Sequence, residues 1–234
     1  QDNQGLKSVA LDQKQELELA QDIKSFINDQ EFYASIGQPY RRGYLFHGRP
    51  GTGKTSLINA IAAELERDIY FLNLRQISND SQLQSIFSQV RRGQIIVMED
   101  IDAMSKVLDD DDMEPLSPFM TGGGIGKRLS SFTLSTLLGC LDGHTMQPGN
   151  IVIMTTNHPE VLDPALIRPG RIDLSFELGC VTRYQVRRIY ENIVLHKDND
   201  PTSEAKPINE KWLATFPEGV VPPCEMMRIM LLHR

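Results

Sequence analysis

The chain has 234 residues, of which 40% are hydrophobic and 24% are charged, and its net charge is −7. This composition is that of an ordinary globular protein with one large domain, or with a large and a small one. The negative charge disfavours a nonspecific nucleic-acid binder, and no apolar run approaches the roughly 18 residues of a membrane-spanning helix. Because the chain begins at Gln1 and ends in the apolar helical pattern 225–232, we expect it to be part of a longer protein.

The first predicted elements are a helix and a strand. Residues 12–29 have the apolar spacing of an amphipathic helix. Its buried face is expected to carry four apolar residues: Leu17, Ile23, Phe26 and Ile27. A Gly-Gln-Pro sequence then interrupts the helical pattern, and the apolar run Tyr44–Phe46 predicts a first strand.

A glycine-rich loop follows this strand. Residues 48–55 fit the phosphate-binding pattern G-x-x-x-x-G-K-[ST] at every fixed position, and the helical pattern 56–65 supplies the required context. Glycines permit positive φ angles, so backbone N–H groups and the helix N-terminus can face a phosphate. We expect Lys54 to reach the β- and γ-phosphates and the Thr55 hydroxyl to ligate Mg²⁺. The predicted nucleotide contacts come from nine residues: Gly48, Arg49, Pro50, Gly51, Thr52, Gly53, Lys54, Thr55 and Ser56.

Strands and helices alternate through the next hundred residues. Residues 69–74 predict a second strand, and 81–90 predict a helix. The nearly all-apolar runs 94–98 and 151–156 are typical of central parallel strands covered on both faces. This order predicts an α/β fold, a doubly wound parallel sheet with its ligand at the carboxyl ends of the strands.

Two regions depart from this pattern. Residues 108–131 hold four consecutive aspartates, two prolines and three consecutive glycines, which predict a mobile surface insertion. An acidic metal site at 109–112 is the alternative. After about residue 180 helical patterns dominate. We therefore predict a large α/β domain over 1–179 and a small, truncated helical domain over 180–234.

The cysteines and histidines show no spacing typical of a metal site or a catalytic triad. Cys140, Cys180 and Cys224 are far apart and are expected to be buried, reduced thiols. The histidines are expected to be structural or exposed, with His158 as the exception of most interest because it adjoins a predicted site residue. Trp212 is expected in the core of the helical domain.

Two acids and an amide follow the central strands. Nucleotide hydrolases need one acid to hold Mg²⁺ and a carboxylate to orient and deprotonate the attacking water. Glu99 and Asp100 are adjacent and point to opposite sides, so we assign Glu99 to Mg²⁺ and Asp100 to the water. A surface acidic turn is the alternative. Asn157 ends the next central strand, where an amide can contact the γ-phosphate or the water, although capping alone also explains it.

The segment 162–173 carries two arginines, Arg168 and Arg171, around a Pro-Gly turn. Arginine is suited to bidentate phosphate contacts and to stabilising the charge of a transition state. On spacing alone, surface salt bridges are the simpler explanation of this pair.

Taken together, these motifs and their order resemble the AAA family of ring ATPases over nearly the entire chain. The resemblance implies an α/β P-loop fold with a small helical lid, ATP and Mg²⁺ as cofactors, and hydrolysis at the interfaces of a homo-oligomeric ring. It implies that Asn157 is the first sensor. It also implies that Arg168 and Arg171 enter the neighbouring subunit's site, where such arginines accelerate hydrolysis by roughly 10³–10⁵ in related systems.

Further residues resemble one branch of that family, the Bcs-type mitochondrial chaperones. Most family members have Asp-Glu after the acidic strand, whereas this chain and that branch have Glu99-Asp100. Residues 37–45, 137–143, 154–159 and 184–186 also resemble that branch. The resemblance implies a heptameric ring in the mitochondrial inner membrane, with the ATPase domain facing the matrix and a membrane segment outside this chain. Its implied task is to translocate the folded Rieske iron–sulfur protein and so assemble respiratory complex III.

Two other functions remain open at this point. One is a remodelling ATPase of the same branch with a different protein client, and the other is a nucleotide-switched scaffold with little turnover. Residues 74–81, where threading unfoldases carry an aromatic pore loop, contain no aromatic residue, which favours a folded client over an extended one. The shorter Asp100 side chain, in place of glutamate, is the main argument for the scaffold.

Overall fold

The computed structural model describes residues 5–102, 132–142, 145–195 and 207–232. The predicted insertion at 108–131 lies outside these residues. The chain divides into two compact units. The first consists of Gln1–Gln38, Phe46–Ile69 and Ser175–Arg234, and the second of Pro39–Leu45 and Tyr70–Leu174.

Five parallel strands form one sheet in the order β2-β3-β4-β1-β5. The strands are β1 (Arg42–His47), β2 (Ile69–Phe71), β3 (Ile95–Met98), β4 (Ile151–Thr156) and β5 (Leu174–Glu177). Some strands that are neighbours in the sheet, such as β4 and β1, are far apart in the chain. Parallel strands of this kind are joined by crossover connections. The predicted α/β fold with a parallel sheet is therefore confirmed, and β5 is a strand that the sequence patterns missed.

The described α-helices alternate with these strands and then continue past β5. They are α1 (Gln13–Asn28), α2 (Gln30–Ser35), α3 (Lys54–Leu65), α4 (Asp80–Gln89), α5 (Leu134–Leu141), α6 (Arg183–Tyr190), α7 (Glu210–Thr215) and α8 (Pro223–Leu232). None of these helices has both the length and the apolar character that crossing a membrane requires.

In the first unit, α1 presents a different face to the core from the one predicted. Its buried residues are Leu19, Ile23 and Phe26, which follow the i, i+4, i+7 spacing of one helical stripe. Leu17 is 59% exposed and Ile27 is 46% exposed, so the prediction was wrong for these two. The helical period places both of them away from the stripe through Leu19, Ile23 and Phe26.

The helices after β5 have a small core of their own within the first unit. Thr182 and Gln185 form a reciprocal capping box at the start of α6. The Gln185 side chain also donates to the carbonyl of Ala10, 2.9 Å away, and so joins α6 to the segment before α1. The buried members of this core are Val181, Val186, Ile189, Leu213, Phe216 and Met226. A separate helical domain starting at residue 180 stays a prediction.

Three side chains of the first unit are more exposed than we expected. Trp212 is 46% exposed and packs on Phe216 with ring centroids 5.5 Å apart, so it borders the helical core instead of filling it. Cys224 is exposed and Cys180 is partly exposed, whereas Cys140, in the second unit, is buried as predicted.

The second unit is built around β3 and β4, which are buried along their whole lengths. The two strands are in parallel register, with Ile95 opposite Ile151 and Met98 opposite Met154. The residues that follow Met98 therefore lie beside the end of β4. Helices α4 and α5 pack against this layer through Leu83, Phe87 and other apolar residues of one continuous core.

Candidate functional site

The glycine-rich loop connects β1 to α3 in the first unit. Gly48, Gly51 and Gly53 have φ angles of 139°, 80° and 98°, in the region that side chains disfavour. A Cβ atom on Gly48 would also lie 2.1 Å from the carbonyl oxygen of Leu178. Gly53 precedes the first residue of α3 and supplies no side chain to cap it. The loop therefore has the backbone that a phosphate cradle requires.

Lys54 lies across this loop. Its ammonium group donates to the carbonyl oxygens of Gly48 at 2.8 Å and Arg49 at 3.3 Å. The Thr52 hydroxyl donates to the same Arg49 carbonyl at 2.9 Å. These bonds hold the loop closed around its own carbonyl groups. Thr55 and the neighbouring Ser56 are exposed at the start of α3.

The first turn of α8 contacts the loop at Gly51. The Cys224 N–H donates to the Gly51 carbonyl at 3.3 Å. A Cβ atom on Gly51 would lie only 2.6 Å from the Cys224 sulfur. Both residues belong to the first unit, so this contact joins the phosphate loop to the last described helix.

In the second unit, the structure brings Asp100 and Asn157 together. The Asn157 amide donates to the Asp100 carboxylate at 3.3 Å. The Asp100 N–H donates to the Thr155 hydroxyl at 3.1 Å, and the Ile101 N–H donates to the Thr155 carbonyl at 3.0 Å. These bonds join the end of β3 to the end of β4. Glu99 and Asp100 are both exposed, as a role with a bound ligand requires.

Asp102 completes this group, and the sequence patterns did not single it out. Its carboxylate accepts from the Thr156 hydroxyl at 2.7 Å and from the Asn157 N–H at 3.2 Å. Burial raises the pKa of Asp102, but these two hydrogen bonds, together with one from its own N–H and the nearby His158, lower it by more, so the pKa lies below its ordinary value. Asp102, in its ionised form, thus fixes the main chain of Asn157. In the sequence, only its position two residues after Asp100 could have indicated that Asp102 belongs to this group.

The two arginines of the 162–173 segment lie in different surroundings in the second unit. Arg168 is exposed. The Arg171 side chain is only 14% exposed, and it forms a bidentate ion pair with Asp142, with both N–O distances at 2.7 Å. The two arginines that we predicted to contact a neighbouring subunit's nucleotide therefore lie on one turn. Arg168 is exposed there, whereas Arg171 is paired with Asp142.

Comparison with known proteins agrees with these features. A model of the AAA family, "ATPase family associated with various cellular activities (AAA)", matches residues 44–180. The chain is 38% identical over 201 residues to "Probable mitochondrial chaperone BCS1-B" of Dictyostelium discoideum, covering 79% of this chain and 44% of that protein. It is 39% identical over 189 residues to "Mitochondrial chaperone BCS1" of Homo sapiens, covering 80% and 43%.

A plant protein aligns with more of the chain. It is "AAA-ATPase At5g40000" of Arabidopsis thaliana, 36% identical over 222 residues, covering 94% of this chain and 46% of that protein. The chain thus spans less than half the length of these curated relatives. Because the family match covers 137 of the 234 residues, the chain belongs to the AAA family of ATPases.

Proposed function

We propose that this chain is the ATP-hydrolysing domain of a ring-forming mitochondrial chaperone. Membership of the AAA family makes it an ATPase domain. Among the residues of this chain, the observation that supports ATP hydrolysis best is the hydrogen bond from Asn157 to Asp100, at the ends of two buried strands. An amide and a carboxylate held together in this way suit the orientation and deprotonation of a water molecule.

The phosphate loop and Glu99 have donor groups that fit ATP and Mg²⁺. Positive φ angles at three glycines allow the loop N–H groups to face a phosphate, and Lys54 then exchanges its bonds to loop carbonyls for phosphate oxygens. Mg²⁺ prefers hard oxygen ligands and keeps several waters, so the exposed Thr55 hydroxyl and Glu99 carboxylate are suitable. We assign these two residues to the metal, which balances phosphate charge when bound.

In this proposal Asp100 is the base and Asn157 is the sensor of the γ-phosphate. The arginine turn of each subunit acts on the nucleotide of its neighbour in the ring. A guanidinium supplied in trans stabilises charge that develops in the transition state, so hydrolysis depends on assembly.

The client and location are proposed from the relatives and from the sequence resemblance. The Dictyostelium and human relatives are named mitochondrial chaperones. The order Glu99-Asp100 and the residues around 37–45 and 154–159 resemble the same branch. We propose that the full protein is a heptamer in the mitochondrial inner membrane with this domain on the matrix side. It moves the folded Rieske iron–sulfur protein across that membrane during assembly of complex III.

The test is depletion of the full-length protein followed by complementation. Rieske protein should disappear from complex III, and wild-type protein should restore it. The Lys54→Ala variant should restore nothing because it cannot bind ATP, and the Asp100→Asn variant should restore nothing because it cannot hydrolyse it. Full Rieske incorporation after depletion would contradict the proposed client.

A second candidate function is remodelling of a different protein client by the same ATPase. It is favoured by the plant relative, which aligns with 94% of the chain and is named only as an AAA-ATPase. The depletion experiment separates the two functions, because this candidate predicts an intact complex III and a defect elsewhere. A nucleotide-switched scaffold predicts instead that Asp100→Asn complements as well as wild type.

A further inference from the structure

Arg171 is anchored inside its own chain. Its Nε and Nη2 atoms donate to the two oxygens of Asp142, and its Nη1 atom donates to the Ala165 carbonyl. A bidentate, charge-assisted pair of this kind is both strong and directional. For Arg171 to contact a phosphate in another subunit, its side chain would have to leave these three acceptors.

The main chain around Arg171 is fixed as well. The Asp173 N–H donates to the Gly43 carbonyl at 2.8 Å, and the Gly43 N–H donates to the Asp173 carboxylate at 2.9 Å. A Cβ atom on Gly43 would lie 1.8 Å from the Arg171 carbonyl oxygen. The start of β1 therefore packs directly against the backbone that carries Arg171.

Neighbouring charges make the Arg171–Asp142 pair part of a larger group in the second unit. The pKa of Arg41 is lowered by burial and by Arg171, while Asp142 and Asp173 act in the opposite direction. The hydrogen bonds of Asp142 raise the pKa of Arg171. The Arg42 Nη1 atom lies 3.9 Å from the Asp173 Oδ2 atom. Removing Arg171 from Asp142 would therefore disturb a group of interacting charges.

Arg168 has a fixed main chain and an exposed side chain. Its carbonyl accepts from the N–H groups of Arg171 at 3.0 Å and Ile172 at 3.1 Å. At the other end of the turn, the Ala165 N–H donates to the Asp163 carboxylate at 2.7 Å. The main chain is thus hydrogen-bonded on both sides of Arg168, while Arg168 itself is exposed.

We propose that the two arginines have different roles, with Arg168 alone contacting the neighbouring subunit's nucleotide and Arg171 acting as a positioning residue. Asp142 holds Arg171, and Arg171 holds the turn through the Ala165 carbonyl. This inference rests on the proposed action of the turn in trans and divides that action between two residues. It also gives Asp142 a function, as the acceptor that keeps Arg171 in place.

The experiment measures steady-state ATP hydrolysis by full-length rings of five variants. They are Arg168→Met, Arg171→Met, Asp142→Asn, the double variant Asp142→Asn/Arg171→Met, and Arg187→Met as the control. Arg187 pairs with Glu210 elsewhere on the surface and lies outside the proposed site, so its loss should leave kcat unchanged. Particle mass and urea unfolding establish that each variant is folded and assembled.

We expect Arg168→Met to lower kcat by roughly 10³-fold or more, as loss of a trans arginine does. Arg171→Met and Asp142→Asn should each lower kcat by about tenfold with KM unchanged, and the double variant should be no worse than either, because both act through one contact. Each of these defects should be relieved when the variant is mixed with Asp100→Asn subunits, which still supply an intact turn. A residue with only a structural role would not give this complementation.

Two results would overturn the division of roles. One is normal kcat in Asp142→Asn while Arg171→Met loses as much as Arg168→Met, since Arg171 would then contact the nucleotide itself. The other is an additive loss in the double variant. Normal kcat in Arg168→Met would instead contradict the proposed action of the arginine turn in trans, which is the function on which the inference rests. Should Arg171→Met not fold, Arg171→Lys keeps the charge, loses the bidentate geometry and should give the same tenfold loss.

Discussion

At the scale of single residues, the conformation of Asp100 explains an unusual order of acids. Asp100 has a φ angle of 51°, in the left-handed region where aspartate is found several times more often than most other residues. Its N–H must reach the Thr155 hydroxyl, and its carboxylate must meet Asn157. Aspartate at this position therefore suits the backbone, and Glu99 at the preceding position supplies the longer acid that we propose for the metal.

This conformation leads to a prediction about Asp100→Asn. Asparagine also tolerates left-handed backbone, so the free energy of unfolding should change by less than about 0.5 kcal/mol. ATP should still bind, while turnover should fall at least 100-fold because the proposed base is lost. Asp100→Glu is the matched variant: it keeps the charge but should lower stability by about 1 kcal/mol. Urea unfolding and a phosphate-release assay measure both effects, and normal turnover in Asp100→Asn would place the base elsewhere.

Asp102 should make stability depend on pH in a defined direction. Its pKa in the folded protein lies below the ordinary value of 3.8, so its stabilising contribution is complete above pH 3.8. The contribution is lost as the pH falls through the lower folded-state pKa. We therefore expect the difference in unfolding free energy between wild type and Asp102→Asn to be constant at neutral pH and to shrink below pH 3.8. Urea titrations over a pH series measure this difference, and one that grows in acid would contradict the assignment.

At the scale of elements, glycine positions show where segments of the chain approach closely. Gly43 in β1 has the Arg171 carbonyl where a side chain would be, whereas nothing lies within 4 Å of a side chain at Gly139 in α5. The two residues therefore form a natural pair for comparing a close approach with an open helical surface.

We predict opposite effects of alanine at these two positions. Gly43→Ala should destabilise the protein by several kcal/mol, or prevent folding, because the clash at 1.8 Å involves backbone atoms. Gly139→Ala should stabilise it by up to about 1 kcal/mol, because alanine favours a helix interior. Thermal unfolding of both variants measures the contrast. Equal melting temperatures would show that the backbone near Gly43 shifts to accommodate the added methyl group. In that case β1 would not fix the turn that carries the arginines.

The elements that the sequence predicted well are those with strong local signals. The glycine-rich loop, β3, β4 and α4 combine fixed spacing or continuous apolar runs with clear ends. β5 was missed because its alternation of apolar and polar residues extends over only four residues, the lower limit at which such a pattern indicates a strand. The face of α1 was assigned wrongly although its own helical period separates Leu17 and Ile27 from the buried stripe. The fixation of Asn157 by Asp102 and the Arg171–Asp142 pair depend on residues far apart in the chain, which no local pattern contains.

At the scale of the whole molecule, the proposed mechanism places hydrolysis under the control of assembly. Arg168 is exposed on a turn fixed from both sides, and in the proposed mechanism it acts on the nucleotide of another subunit, not on that of its own. The specific activity should therefore depend on the concentration of subunits until rings are complete.

The particle mass of the full-length protein with a non-hydrolysable ATP analogue should correspond to seven subunits. Native mass spectrometry measures this number directly. Six subunits would favour the remodelling ATPase, because six is the usual number in the AAA family. A monomer would leave Arg168 without a neighbouring nucleotide and would contradict the mechanism.

The contact between Gly51 and Cys224 makes the thiol a natural reporter of the phosphate loop. Cys224 is exposed and bonded through its N–H to the loop, whereas burial raises the pKa of the Cys140 thiol and slows its reaction. A ligand that reshapes the loop at Gly51 must therefore alter the surroundings of Cys224. The rate at which a thiol reagent labels the native protein at this position would follow nucleotide occupancy in real time, with no change to the sequence.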